Sequence, residues 1–474
     1  MSKYSRLGKN TLLVFVGNAG AKLIGLLMLP LYTRWLSVED YGTTDIIMVY
    51  KTLLLGIVTC CMASAVFIFP KGQSVDKQKE YFSSGIAFSV ITLTVTALLF
   101  YILNHYFTTY KVVNSFSTNI WLIYGMIVSS YAQQYVQQFT RSIDKIKVYS
   151  ITGIVLTAGI AITSFLLIPY WGVKGYVFAN IIANVLAALY SLMFSQSYKL
   201  ISLKSIKKYP CWEMLRYSIP LIPNAIMGWL ISALNRPLME GYLDMHSIGI
   251  FAVANKFPGV LSMLFTIFVT SWQISVIEEF KKKDFNVFFN RIFRLVIVGL
   301  VFLFFFITMF SQFIVTIFAA HKFFEAWKYV PMLTLSVVFY SVSSLAGSVF
   351  SASRESKFFF YSSLWGAIVA IVANFLLIPS LGVMGAAISV LLSFMAMSAS
   401  RIKYAWKYIE IKNVKVYLIM FSIAILTIAI SLNIQLDWLR YFLFAILLLV
   451  LILFNSDLKK DLLFIYDSIL ARFK

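Results

Sequence analysis

The sequence predicts an all-α integral membrane protein of about fourteen transmembrane helices: two six-helix lobes in parallel repeat, followed by two C-terminal helices. Three observations predict it. Sixty per cent of the 474 residues are hydrophobic and only 12% are charged, with a mean hydropathy of +0.85, whereas a soluble domain carries about 25% charge. Fourteen segments are apolar over the roughly 20 residues that a helix needs to cross the hydrocarbon core. The lysines and arginines, finally, gather in alternate connections.

In chain order the spans are 10–36, 43–69, 82–103, 117–139, 149–169, 173–197, 214–239, 247–277, 291–318, 328–352, 358–379, 382–400, 415–433 and 438–455. The first opens behind Lys3, Arg6 and Lys9 as a signal peptide would. Its apolar run is too long and no small-residue cleavage site follows, so it counts as a span. The connection after span 2 carries Lys71, Lys77 and Lys79, and that after span 4 carries Arg141, Lys145 and Lys147. After span 6 come Lys199, Lys204, Lys207, Lys208 and Arg216, and after span 8 Lys281, Lys282, Lys283, Arg291 and Arg294. Arg354 and Lys357 follow span 10; Arg401, Lys403, Lys407, Lys412 and Lys415 follow span 12; Lys459, Lys460, Arg472 and Lys474 follow span 14. These segments hold thirty of the forty cations, and the opposite side holds six: Arg34, Lys111, Lys174, Lys322, Lys328 and Arg440. Because cytoplasmic loops concentrate lysine and arginine, both termini are expected in the cytoplasm. The net charge of +21 is then a topology signal, and no nucleic-acid partner is expected.

Two stretches repeat. Residues 165–175 read FLLIPYWGVKG and residues 375–385 read FLLIPSLGVMG, at a constant offset of 210. Pro30, Leu31, Leu36 and Gly42 recur as Pro237, Leu238, Leu243 and Gly249, at an offset of 207. Each match is separated by six spans, an even number, so both copies cross in the same direction, as in transporters built from two parallel halves. The predicted organisation is an N-lobe at 1–197 (spans 1–6), a basic linker at 198–213, a C-lobe at 214–405 (spans 7–12), and 406–474 with spans 13 and 14 and a cytoplasmic tail.

The remaining four cations, Lys22, Lys51, Arg236 and Lys256, fall inside spans. A charge at mid-helix costs about 2.5–3.5 kcal/mol on insertion scales, so each needs a partner or a wet cavity. On span 1, Asn18, Lys22, Gly25 and Leu29 share one face, and Gly17, Ala21 and Met28 form a neighbouring stripe of packing residues. Lys51 lies about 12 Å below Gly42 at 1.5 Å per residue. Lys256 follows Gly249 by seven residues, so the 207 offset sets it beside Val49, near Lys51. Arg236 and Arg34 can snorkel or pair with Asp45, Glu240 or Asp244 at the outer rim. Lys22, Lys51 and Lys256 have fewer acids within reach, and a cavity with uncompensated positive charge suits an anionic guest such as a phosphate. Asn18, Asp45, Arg236 and Asn255 are secondary cavity candidates. Gln133, Gln134, Gln137 and Gln138 are expected to bond between helices, and Trp229 and Trp272 to face lipid or the interface, with sugar contacts the rival use.

Other chemistries find no support. Cys60, Cys61 and Cys211 suggest neither a disulfide framework nor a metal site. Neither a P-loop nor H-E-x-x-H nor G-x-S-x-G occurs, and His105, His246 and His321 are scattered. No resident cofactor or metal is expected; transport would draw on an H+ or Na+ gradient, the membrane potential or the substrate's own gradient.

The opening KNTLLVFVGNAGAKLIGLLMLPLYTRWLSVEDYG and the FLLIPSLGVMGAA stretch at 375–387 resemble the Wzx-type flippases of polysaccharide biosynthesis, which move lipid-linked O-antigen or capsule repeat units. The resemblance implies the fold of the multidrug, oligosaccharidyl-lipid and polysaccharide exporter (MOP) superfamily, like that of the MATE multidrug exporters. Two six-helix lobes there form a V around a central cavity that alternates between inward-facing and outward-facing states. It further implies a non-enzymatic transporter of undecaprenyl-diphosphate-linked oligosaccharide, bound for lipopolysaccharide or capsule, in the bacterial inner membrane. Membrane lipids, a polysaccharide polymerase and a chain-length regulator are the implied partners. Relatives that flip the peptidoglycan precursor line their cavity with cations from helices 1, 2 and 8, where Lys22, Lys51 and Lys256 sit here as candidate diphosphate ligands. A lysine presents a point charge rather than the bidentate fork of arginine. The rivals are a MATE-like exporter of cations, which calls for acids deep in the lobes, and a membrane-embedded polymerase or glycosyltransferase, which calls for a sizeable catalytic loop or an acidic metal-binding motif.

Overall fold

A computed structural model describes residues 25–434 and 436–454, and among them every regular element is helical. The chain forms two compact units, one ending at Ala252 and the other beginning at Val253. In the first, α1 (Leu29–Trp35) leads into α2 (Val38–Val58). Ser37 starts α2: its Oγ accepts from the Asp40 N–H at 2.9 Å, and Glu39 and Asp40 lie in the positive first turn. Cys60 and Cys61, both at left-handed φ (48° and 52°), break the span before α3 (Met62–Ile68). Next come α4 (Val75–Thr109) and α5 (Ser115–Ser142), the latter started by an Asn114/Ser117 capping box.

The element α6 (Ile146–Phe194) runs 49 residues, roughly 74 Å if straight and more than twice the hydrocarbon core. It is not straight. Pro169 lies inside it and Gly172 takes φ 52°, ψ −124°, a conformation open to glycine. The chain folds back there, so that the Thr163 hydroxyl donates to the Ala179 carbonyl at 3.0 Å. A Cβ on Gly175 would lie 2.4 Å from the Leu167 oxygen. One element therefore supplies predicted spans 5 and 6. The first unit continues with α7 (Lys208–Ser218), α8 (Leu221–Ser232), α9 (Asn235–Tyr242) and α10 (Met245–Ala254), whose last two residues fall past the division. Phe82, fully buried, stacks on Phe139 with ring centroids 3.9 Å apart in one of the unit's cores.

The second unit holds α11 (Lys256–Glu279), α12 (Phe285–Met309), α13 (Ser311–Phe318), α14 (Val330–Ala352), α15 (Lys357–Ala405), α16 (Val414–Asn433) and α17 (Asp437–Phe454). Its core is aromatic and aliphatic, with Phe289, Phe293, Phe304, Leu345 and Phe350 buried together. Helix α14 is the most enclosed. Its small buried residues Ser341, Ser343, Ala346, Gly347 and Ser348 let neighbours approach closely where lipid leaves no hydrophobic drive between helices. Ser341 and Ser348 donate to their own helix, to the carbonyls of Val337 (2.8 Å) and Leu345 (2.6 Å). Helix α15 repeats the device of α6: Pro379 inside, Gly382 at φ 59° and ψ −134°, and a Gly385 Cβ that would lie 2.0 Å from the Leu377 oxygen. Pro169, Gly172 and Gly175 thus recur as Pro379, Gly382 and Gly385, and the 210-residue repeat is one of backbone geometry as well as sequence.

Among the described residues, eight helices are long and apolar enough to cross a membrane, or nine if the bent stretch from Lys208 to Tyr242 is one span. Two of the eight are the folded-back elements, so the chain is a multi-pass membrane protein. One span expected to be straight is bent. α8 and α9 meet at a 47° bend, because Pro237 has no N–H to offer the Ala233 carbonyl four residues back. Pro258 likewise leaves the Ala254 carbonyl without its N–H, and the helix is interrupted at Asn255 between α10 and α11, although Met245–Glu279 still counts as one span. Trp272 is a correction of another kind: it is buried in the core of the second unit, against Phe288 and Phe289, and faces neither lipid nor a headgroup belt.

Between α14 and α15, Glu355 gathers three partners. Oε1 accepts from the Tyr408 hydroxyl and from Lys407 Nζ at 2.9 Å, and Oε2 lies 3.3 Å from Lys357 Nζ. The tyrosine bond, then the lysines, hold the carboxyl down at about 2. A carboxyl depressed in the fold contributes its full stability above its ordinary pKa and loses it progressively as pH falls from there through the depressed value. Protection of residues 406–411 from hydrogen exchange, corrected for the intrinsic pH dependence of exchange, is therefore expected to be constant from pH 7 to about 5 and to fall between there and about 2, and Glu355→Gln should lower it already at pH 7. Equal protection of the Gln variant and the unaltered protein at pH 7 would contradict the clasp.

Candidate functional site

Helices α2 and α10 touch at two glycines related by the 207-residue repeat. A Cβ on Gly42 would lie 2.2 Å from the Met245 carbonyl oxygen, and one on Gly249 would lie 2.0 Å from the Val38 oxygen. Met245 precedes Gly249 by four residues as Val38 precedes Gly42, so the contact is reciprocal. No side chain fits between the two backbones.

Around this crossing lies a polar cluster. Arg236, with a side chain 5% exposed, pairs through Nε with Asp45 Oδ2 at 3.2 Å, and Asp45 is 18% exposed. Arg236 Nη1 also donates to the Ser232 carbonyl (2.6 Å) and to Asn235 Oδ1 (2.9 Å), and the guanidinium lies 4.7 Å from the centre of the Phe251 ring. One turn along α9, Glu240 accepts from the Tyr50 hydroxyl (3.2 Å) and from the Ser115 N–H (2.5 Å) at the start of α5, where a helix N-terminus favours an anion. The Trp229 indole N–H donates to the Val49 carbonyl at 3.0 Å. Helix α2 is thereby tied to α8 and α9 by an ion pair and two hydrogen bonds.

Below the ion pair α2 and α8 diverge around a cavity of about 390 Å3. Lys51 does not line it. At 100° per residue Lys51 shares its side of α2 with Ile47, Leu54, Leu55 and Val58, which pack with the cluster around Phe100 and Ile123, whereas Thr52, Leu53 and Gly56 face the cavity. Lys51 is half-buried and, among the described residues, makes no hydrogen bond or ion pair. Lys256 is likewise half-buried without a bond, and Asn255 is exposed at the break before it. Lys22 and Asn18 lie outside the described residues. Gln133 Nε2 donates to Gln137 Oε1 within α5 (2.7 Å), and Gln137 Nε2 to the Tyr149 carbonyl on α6 (3.0 Å); of the two, Gln137 bonds between helices as expected, and the Gln133 bond stays within its own helix.

Sequence reasoning left Arg401 among the loop cations. It is 7% exposed inside α15, donating to the hydroxyls of Ser362 (2.9 Å) and Ser363 (3.2 Å) beside Phe359. Its ligands lie some forty residues away in sequence, so only the fold-back of α15 reveals them.

Helical hairpins folded at matching glycines, a span bent at a proline and charges buried within spans make a multi-pass membrane protein, and its fold is like that of the lipid II flippase MurJ and of MATE family transporters. The chain belongs to the polysaccharide biosynthesis protein family, which it matches over residues 7–273. Among solved structures, the lipid II flippase MurJ in an inward closed conformation superimposes with a TM-score of 0.67 at 18% identity, over 95% of this chain and 100% of that one. An inward-facing MATE family multidrug resistance transporter gives 0.59 at 11% identity, over 83% and 93%. A MOP superfamily transporter from Pyrococcus furiosus, described as having a binding pocket of reversed polarity, gives 0.58 at 10% identity, over 84% and 95%. No curated protein sequence matches the chain.

Proposed function

We propose that the chain is a flippase that carries an oligosaccharide linked to undecaprenyl diphosphate from the cytoplasmic to the outer leaflet of a bacterial inner membrane, by alternating access with both termini cytoplasmic. Membership of the polysaccharide biosynthesis family supports the substrate class. The observation that carries the mechanism is the unpaired charge within spans: Lys51 and Lys256 have no partner among the described residues, and a charge kept there without one favours an anionic guest. Lys22, Lys51 and Lys256 bind the diphosphate, and Asn18 and Asn255 are available to its oxygens. Asp45 and Arg236 serve differently. Their pairing beside the Gly42–Gly249 contact holds the outer ends of α2, α9 and α10 together, a closure that must release before the guest can leave. The reading involves no resident cofactor; an H+ or Na+ gradient or the membrane potential drives the cycle, and the polymerase and chain-length regulator of the same pathway receive the product.

A hydrogen bond to a charged group contributes about 1.5–3 kcal/mol, so each of Lys22→Ala, Lys51→Ala and Lys256→Ala is expected to slow translocation by roughly 10- to 100-fold at unchanged protein level. The test is the leaflet in which lipid-linked oligosaccharide accumulates in a deletion host. Cytoplasmic accumulation, reversed by the intact gene but not by the triple alanine variant, supports the assignment. Full activity of the triple variant would remove the lysines from the site; accumulation on the outer face would place the protein after the flipping step.

A further inference from the structure

We infer that the cavity between α2 and α8 is a sugar subsite in which Trp229 is the stacking platform. The inference rests on the flippase reading and adds where the glycan is recognised. The cavity, about 390 Å3, falls within the roughly 300–1,000 Å3 of small-molecule sites. No charged residue lines it, so it suits the neutral part of the substrate and not its diphosphate.

Its lining has the composition that carbohydrate requires. Trp229 is half-buried, and its N–H is committed to the Val49 carbonyl, which fixes the ring and leaves its face as the binding element. Glycines keep that face accessible: a Cβ on Gly228 would meet nothing within 4 Å, and one on Gly56 would meet only Cys61 Sγ at 3.8 Å and Ala225 Cβ at 3.9 Å. Packing does not demand glycine at either place. Thr52 and Ser232 add polarity at the edges. Each hydroxyl donates its hydrogen to its own helix, Thr52 to Met48 and Ser232 to Gly228, both at 2.7 Å, so each oxygen is left as an acceptor. A sugar ring has apolar C–H faces that pack on an indole and a rim of O–H donors that match such acceptors. A polyprenyl chain would use the ring but leave the two hydroxyl oxygens beside hydrocarbon, which is unfavourable.

The experiment compares two probes on the full-length protein in nanodiscs: undecaprenyl diphosphate bearing the host's oligosaccharide, and undecaprenyl diphosphate without sugar. Trp229→Ala is expected to weaken binding of the sugar-bearing lipid by about tenfold or more, about 1.4 kcal/mol, and to leave the sugar-free lipid unchanged. Trp229→Phe, which keeps a ring but loses the N–H, should retain most of the affinity for the sugar-bearing lipid. Gly228→Leu, placed where a side chain meets no neighbour, should melt like the unaltered protein yet lose the sugar-dependent part of binding. Equal weakening of both probes by Trp229→Ala would reassign the cavity to the prenyl chain, and unchanged binding of both would remove Trp229 from recognition; either overturns the subsite. If the unaltered protein distinguishes neither probe from an unrelated lipid, the flippase reading itself fails.

Discussion

Gly42→Ala is expected to cost the protein about 1–3 kcal/mol of stability, the usual range for overpacking, and to abolish translocation. The added methyl would lie 2.2 Å from the Met245 oxygen and 2.9 Å from the Gly249 nitrogen. Both are backbone atoms, so no side chain can rotate away and α2 and α10 must part by about 1 Å to restore van der Waals contact. The crossing is reciprocal, so Gly249→Ala should have the same effect. The double variant should cost less than the sum, because one displacement relieves both clashes. Gly299→Ala is the control: a Cβ there meets nothing within 4 Å, and alanine is the better helix former. Thermal melting in detergent and transport in proteoliposomes provide the two readouts. If Gly42→Ala melted and transported as the unaltered chain does, the helices would not close through these glycines.

Both glycine pairs were visible in the sequence, for a physical reason. A turn that needs left-handed φ, or a backbone approach that excludes Cβ, constrains residue identity locally; such positions recur when the structure is built twice, and the 210 and 207 offsets record them. The presence of spans was equally legible, since it depends on length and apolarity. Rotation about the helix axis was not. Lys51 lies within α2 as predicted, but its side of that helix is decided by packing against α4 and α5, and the residues that decide it, Phe100 and Ile123 among them, are far along the chain. The pairing of Arg236 with an outer-rim acid was one of the anticipated alternatives, whereas the burial of Arg401 was not, because a cation near a basic loop is by composition indistinguishable from a loop cation. Proline breaks lie between these cases: Pro237 and Pro258 were plain to see, but an apolar run long enough to span conceals a bend when only its hydropathy is read.

Asp45→Ala is expected to destabilise the protein by about 3–5 kcal/mol, the usual cost of removing one partner of a buried ion pair. Arg236 would keep the Ser232 carbonyl, the amide of Asn235 and the face of Phe251, all neutral, and its charge would lose the carboxylate at 3.2 Å. Replacing both partners by apolar residues has the opposite logic. Desolvating two charges is so unfavourable that a well-packed apolar pair is often as stable or more so, and Asp45→Leu combined with Arg236→Leu should melt at or above the temperature of the unaltered protein. Stability and transport then separate. If the ion pair is the part of the outer closure that opens and re-forms in each cycle, the double leucine variant, though stable, holds α2 against α9 by contacts that water does not readily replace, and transport should fall by at least about tenfold, the equivalent of about 1.4 kcal/mol on the opening step. Single-residue loss of transport would be ambiguous, because Asp45→Ala lowers the amount of folded protein as well. The double variant removes that ambiguity: high melting temperature with low transport identifies the pair as a latch, and high melting temperature with full transport identifies it as a packing element that the cycle never opens.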